Sequence, residues 1–96
     1  MFARHLSVKS TPENRSSVEA IADEVFGHLK TLDGFVSVHF MVSQDGTEYG
    51  SLSLWETREQ AESGGAQIQS RVKDKIAAIA TEPPVINTYE VYKPKS

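Results

Sequence analysis

The chain contains no cysteine, so its chemistry falls to three histidines, one tryptophan and a few hydroxyls and carboxylates. An imidazole titrates near neutral pH and is the natural general base or hydrogen-bond anchor for a phenolic or enolic substrate. His39 sits in the middle of an alternating run, Phe35 to Ser43, and is the first candidate for that role. The competing reading is an interface histidine satisfied by a neighbour. Ser37, Ser51 and Tyr49 are candidate orienting donors around it. Trp55 is either a stacking wall for a flat substrate or an anchor of a core or interface, since aromatics dominate such packing. His5 is a further binding candidate. It lies two inter-strand spacings from His39, roughly 9–10 Å, too far to share one metal ion. No acid stands at ligand spacing, so no metal site is expected. His28, beside Gly27 and off the main stripe of its helix, reads as a solvated residue. Glu90 is the one acid expected to face inward, as an ion-pair partner for His5, and Tyr92 is a further hydroxyl donor.

These side chains need elements to hold them, and the spacing of apolar residues supplies a strand, helix, strand, strand, helix, strand order. In Phe2 to Lys9, Leu6 and Val8 alternate with His5 and Ser7. Thr11-Pro12-Glu13 is a helix start: a hydroxyl, then proline at the first helical position, then an acid. Val18, Ile21, Ala22, Val25, Leu29 and Leu32 then form one apolar stripe, and Gly34 ends it. Asp45-Gly46 signals a hairpin. Thr57 to Gln60 is a capping box that opens the second helix. Ser63-Gly64-Gly65 is expected to interrupt that helix, as a pocket rim or a kink, because each glycine costs about 1 kcal/mol relative to alanine. Pro83-Pro84 stops it, and Val85 to Lys93 is the last strand.

The hairpin's loop length decides which side chains share a face, because a slip of one residue exchanges them all. A two-residue loop sets Val36, Val38 and Phe40 beside the serines of the next strand. A three-residue loop with Gly46 left-handed pairs Ser43 with Thr47. It groups Val36 and Val38 with Leu52 and Leu54, and Phe35, Ser37, His39 and Met41 with Trp55, Ser53, Ser51 and Tyr49. The second register separates apolar from polar and is the preferred one.

Two helices on one face of a four-stranded antiparallel sheet, in the order 4-1-3-2, follow from right-handed crossovers. The expected architecture is an α+β, ferredoxin-like βαββαβ sandwich. The Val and Leu face is expected to pack on the helices. The other face would carry His5, Ser7, Phe35, Ser37, His39, Met41, Tyr49, Ser51, Ser53, Trp55, Ile86, Thr88, Glu90 and Tyr92. That patch is too aromatic to leave wet on a monomer, so a second copy packed sheet to sheet is the expected cover.

Ninety-six residues are read as one domain, 1–96, with nothing left over to cover that face. Thirteen acids against ten bases give a net charge of −3, which carries no footprint for nucleic acid or a membrane surface. No apolar run is long enough to span a bilayer and no secretory h-region opens the chain, so a cytoplasmic protein is expected.

Gly34-Phe35 opening a strand, the Asp45-Gly46 hairpin, and a strand ending Leu54-Trp55-Glu56-Thr57 before a helix resemble the antibiotic biosynthesis monooxygenase (ABM) domain. That family belongs to the dimeric α/β-barrel superfamily. The resemblance spans nearly the whole chain in element order and rests most on Trp55-Glu56-Thr57. It implies a ferredoxin-like protomer, a dimer with facing sheets, and a small-molecule pocket. Family members include cofactor-independent monooxygenases of aromatic polyketides, haem-degrading enzymes, and isomerases or decarboxylases of small metabolites. The haem-degrading branch is similar in needing an Asn on the first strand and a Trp and a His on the second helix. Here His5 and Ser7, and Gly64 and Gly65, stand in those regions, so haem degradation is not expected. The reading is a dimeric, cofactor-independent monooxygenase-like protein acting on a small aromatic or enolic metabolite. The alternative is a non-catalytic binding or structural dimer module. A pocket between helices and sheet, lined by Phe40, Leu54 and Gly64-Gly65, would overturn the face assignment.

Overall fold

The computed structural model describes residues 1–95. Strand β1 (Phe2–Lys9) leads through a short 3-10 turn at Pro12–Asn14 into helix α1 (Arg15–Leu29). Strands β2 (Phe35–Val42) and β3 (Glu48–Trp55) form a hairpin, followed by helix α2 (Arg58–Ile79) and strand β4 (Val85–Glu90). The strands form one antiparallel sheet in the order β2-β3-β1-β4, as the crossover argument requires. Helix α1 stops at Leu29, short of the expected Gly34, which takes φ +80° in the turn that leads into β2; the Thr57 hydroxyl caps α2 by accepting from the Gln60 N–H at 3.2 Å.

The hairpin register is not the preferred one but that of the two-residue alternative, with Val38 and Phe40 beside the serines, although the pairing stops short of Gln44 and Thr47. Ser43 pairs with Glu48, and the backbone N–H of Ser43 donates to the Glu48 carbonyl at 2.8 Å. The loop therefore holds four residues, 44 to 47. A single carboxylate oxygen of Asp45 fixes it by accepting from the Thr47 N–H (3.1 Å), the Thr47 hydroxyl (2.7 Å) and the Ser43 hydroxyl (2.8 Å). Gly46 takes the left-handed conformation expected of it, φ +75°. The added residue exchanges the faces of β3 relative to the preferred register. Phe40 now opposes Ser51, Val38 opposes Ser53, and His39 opposes Leu52. A bulge at Val36 then takes up the shift, so that Phe35 still meets Trp55.

The helix-facing side of the sheet thus carries Leu6 and Val8 of β1, as expected, but Tyr49, Ser51, Ser53 and Trp55 of β3 in place of Leu52 and Leu54. Across β1, Leu6 faces Ile86 and Arg4 faces Thr88, so Ile86 and Thr88 also belong to the helix side. The open side carries Ala3, His5 and Ser7 with Leu52, Leu54, Val85, Asn87 and Tyr89. Burial explains the outcome. Trp55 is 1% exposed and Tyr49 4%, and sealing these two large rings under the helices removes more apolar surface from water than sealing two leucines.

Helix α2 also differs from expectation: it runs unbroken through Gly64-Gly65. The glycines are gaps left for the sheet. A Cβ on Gly64 would stand 2.3 Å from Cη2 of Trp55, and one on Gly65 would stand 2.1 Å from Nε of Arg4. The core that results joins Val8, Leu29, Trp55, Ala61, Ile68, Val72 and Ile76.

Gly64→Ala is expected to lower stability by about 1–3 kcal/mol through overpacking against the indole, despite alanine's better helix propensity. Gly27→Ala, on α1 with nothing within 4 Å of its new methyl, is expected to raise it by about 0.5–1 kcal/mol. Urea denaturation of both variants distinguishes steric packing from propensity.

Candidate functional site

Between the sheet and the two helices lies a cavity of ≈ 260 Å³. Its floor is the helix-facing side of the sheet, from Val38 and Phe40 across Ser51 and Trp55 to Leu6 and Ile86. Its roof is the apolar stripe of α1 (Val18, Ile21, Ala22, Val25, Leu29) together with Ile68, Val72 and Ile76 of α2. The helical periodicity of both stripes places these residues on the inner faces, so the wall is aliphatic over most of its area. For scale, an apolar cavity of about 150 Å³ accommodates benzene. This one has room for a fused bicyclic ring.

One end of the cavity is rigid and aromatic. The Trp55 ring meets Phe35 edge-on, with centroids 5.6 Å apart and planes at 70°. Its indole N–H donates to the Ser53 hydroxyl at 2.9 Å, and that hydroxyl donates to the Arg4 carbonyl at 3.3 Å. Two polar groups of the floor are thereby consumed in holding the tryptophan. Tyr49 is also engaged, because its hydroxyl donates to the Thr11 carbonyl at 2.9 Å and ties β3 to the turn before α1. Ser51, half-buried between Phe40 and Leu6, makes no side-chain hydrogen bond among the described residues and is the hydroxyl left for a ligand.

The charged groups in the lining are Arg4 and Lys73. Burial pulls the Arg4 guanidinium below its ordinary value, the expected direction for a cation losing its water. Among the described residues the ion pairs are Lys9–Glu48, Arg15–Glu19 and Lys75–Glu24, none of them at Arg4. No group of three or more His, Asp or Glu side chains able to hold a metal ion occurs among the described residues.

The six side chains that the sequence brings to one face are divided by the sheet. Trp55, Tyr49 and Ser51 line the cavity, whereas His39, Ser37 and His5 lie on the open face. His39 and His5 flank Leu52 there, in one row across the sheet. The open-face assignments of Ser53, Ile86, Thr88 and Glu90 are corrected by the same register. Ser53, Ile86 and Thr88 are on the helix side, and Glu90 opposes Phe2 rather than His5. Tyr92 lies beyond the end of β4. Of the four residues expected for a pocket under the helices, Phe40 and Gly65 line it, and Leu54 and Gly64 do not. Sequence reasoning passed over Arg4. Its signal was a charge at an inward position of β1, in phase with Leu6 and Val8.

No family model matches the sequence, and no curated protein matches it. Solved structures do match it across almost the whole chain. A monooxygenase of Streptomyces coelicolor in complex with the ligand nanaomycin D superposes with TM-score 0.81 at 17% identity, over 99% of this chain and 90% of that one. A structure named antibiotic biosynthesis monooxygenase gives 0.80 at 15% identity, over 97% and 100%. The Rv0793 protein of Mycobacterium tuberculosis gives 0.82 at 19% identity, over 99% and 98%. The fold is that of the antibiotic biosynthesis monooxygenases. At these identities the likeness to ABM structures is one of backbone, and the side chains of the cavity are this chain's own. No helix among the described residues is long and apolar enough to cross a membrane.

Proposed function

We propose that this chain is a monooxygenase-like protein that takes a small aromatic or enolic metabolite into the cavity between sheet and helices. One observation carries the reading: an aliphatic cavity of ≈ 260 Å³ closed by Trp55 at one end and offering an unengaged hydroxyl and an unpaired cation. Such a mostly apolar space with a few convergent polar groups is the usual form of a small-molecule site. The ABM-like fold and the nanaomycin D complex of one structural neighbour point to the same substrate class.

In this reading the substrate is an electron-rich enol or phenol that gives up its hydroxyl proton to solvent, and dioxygen is the oxidant: one oxygen atom converts a ring C–H to C=O, the other leaves as water, and the substrate, oxidised to a quinone, supplies all the electrons. The protein's tasks are to orient the ring, hold the oxyanion and exclude bulk water. Trp55 supplies the flat wall, Ser51 a hydrogen bond, and Arg4 a positive charge near the oxyanion. Tyr49 contributes its ring rather than its hydroxyl. His39, Ser37 and His5 serve the opposite face and lie outside this pocket.

A second reading, a non-catalytic module that binds such molecules, is favoured by one specific fact: neither an imidazole nor a carboxylate lines the cavity. Oxygen uptake with a dihydroxynaphthalene separates the two. The enzyme reading expects consumption above the buffer rate, abolished by the cavity-filling substitution Val25→Phe. Saturable quenching of Trp55 without oxygen uptake supports the binding module, and neither signal contradicts both.

The open sheet face supports a homodimer, on different residues from those first expected. It presents Leu52 and Leu54 at its centre, Met41 (44% exposed) at one edge and Val85 (57%) and Tyr89 (51%) at the other. These side chains, interleaved with His5, His39 and Asn87, are the kind of exposed apolar residues that a second copy would cover. Sedimentation at micromolar concentration is expected to give twice the 10.6 kDa chain mass, with Leu52→Asp shifting it to the monomer. A wild-type monomer contradicts the proposal.

A further inference from the structure

We infer that Arg4 makes the cavity selective for ligands carrying an anionic oxygen, a carboxylate or an ionised aryl hydroxyl, over neutral ligands of the same shape. This rests on the cavity being a ligand site, as proposed above.

The geometry leaves Arg4 without a partner on every side. Across β3 the residue directly opposite is Ser53, whose hydroxyl is engaged with the Arg4 carbonyl and the Trp55 N–H. Across β4 it is Thr88, with the exposed Glu90 two residues further on opposite Phe2 and forming no ion pair with Arg4. Above it α2 presents Gly65, which has no side chain, and a Cβ there would collide with the guanidinium. No carboxylate faces it from within the cavity. The other charged lining residue is Lys73, so the lining carries two cations and no anion. Arg4 is half-buried, and a guanidinium that loses part of its water in an apolar setting gains from a charged partner. The planar guanidinium matches a carboxylate or aryloxide through charge-assisted hydrogen bonds. The missing partner of Arg4 is thus an oxyanion brought by the ligand.

The test uses two planar probes of the same size, 2-naphthoate and its neutral amide, 2-naphthamide, followed by quenching of the single tryptophan, Trp55. Wild-type protein is expected to bind 2-naphthoate about tenfold or more tighter than 2-naphthamide. Arg4→Met, which keeps the aliphatic stem, is expected to bring the two affinities together. Arg4→Lys is expected to retain part of the preference. Equal affinities in the wild type overturn the inference while leaving the cavity reading intact, and they do so without any variant. A preference that survives in a folded Arg4→Met protein likewise overturns it. Failure of both probes to bind overturns the cavity reading, and the inference with it.

Discussion

The placement of Trp55 beneath α2 governs the structure. Its ring fills the space that Gly64 leaves open, meets Phe35 at its edge, and hands its one polar atom to Ser53. Each contact constrains a different element. The indole at Gly64 sets how closely α2 approaches the sheet. The Phe35 contact fixes the start of β2, and the bulge at Val36 lets that contact coexist with a four-residue hairpin loop. The hydrogen bond to Ser53, continued to the Arg4 carbonyl, ties β3 to β1. A buried aromatic with a satisfied N–H is rigid, and here it supplies the fixed end wall of the cavity.

The cavity exists because the remaining side chains are not large enough to close it. The neighbouring sheet positions are Ser51 and Ser53, both small, and the α1 stripe contributes Ala22 and two valines where leucines would fill more of the gap. Well-packed interiors rarely tolerate a void of this size without a reason. The same pair of strands produces both faces. Inward positions of β3 build the cavity wall, while its outward positions, Leu52 and Leu54, make the centre of the surface through which a second chain would pack. One hairpin therefore shapes both the cavity wall and the open face, and its register decides both at once.

Much of this was legible in the residues. The α1 stripe from Val18 to Leu29, the Thr57 cap and the Asp45-Gly46 turn are local signals, and local structure followed them. The strand order followed from the βαββαβ element pattern, with right-handed crossovers putting both helices on one side. Register was not legible. The choice between the two registers is settled with one oxygen of Asp45 gathering three donors, a side-chain event that periodicity does not encode. Segregating apolar from polar residues also misleads where a strand's alternate positions hold Tyr and Trp against Leu. The aromatic rings bury more surface, and they took the interior. Gly64-Gly65 carries a propensity penalty in any helix, and only the residues beneath it, distant in sequence, show that the penalty is offset by closer packing. Arg4 escaped notice for a related reason: a single charge in a short strand gains meaning only when the folded chain is seen to form no ion pair with it among the described residues.

The central claim is that ligands enter between the helices and the sheet. Amide chemical shifts of the isotope-labelled protein titrated with 2-naphthoate test it most directly. The account predicts saturable perturbations at Arg4, Ser51, Gly65, Ile68 and Val72. Perturbations confined to His5, His39, Leu52 and Asn87 would place the ligand on the open face and contradict it.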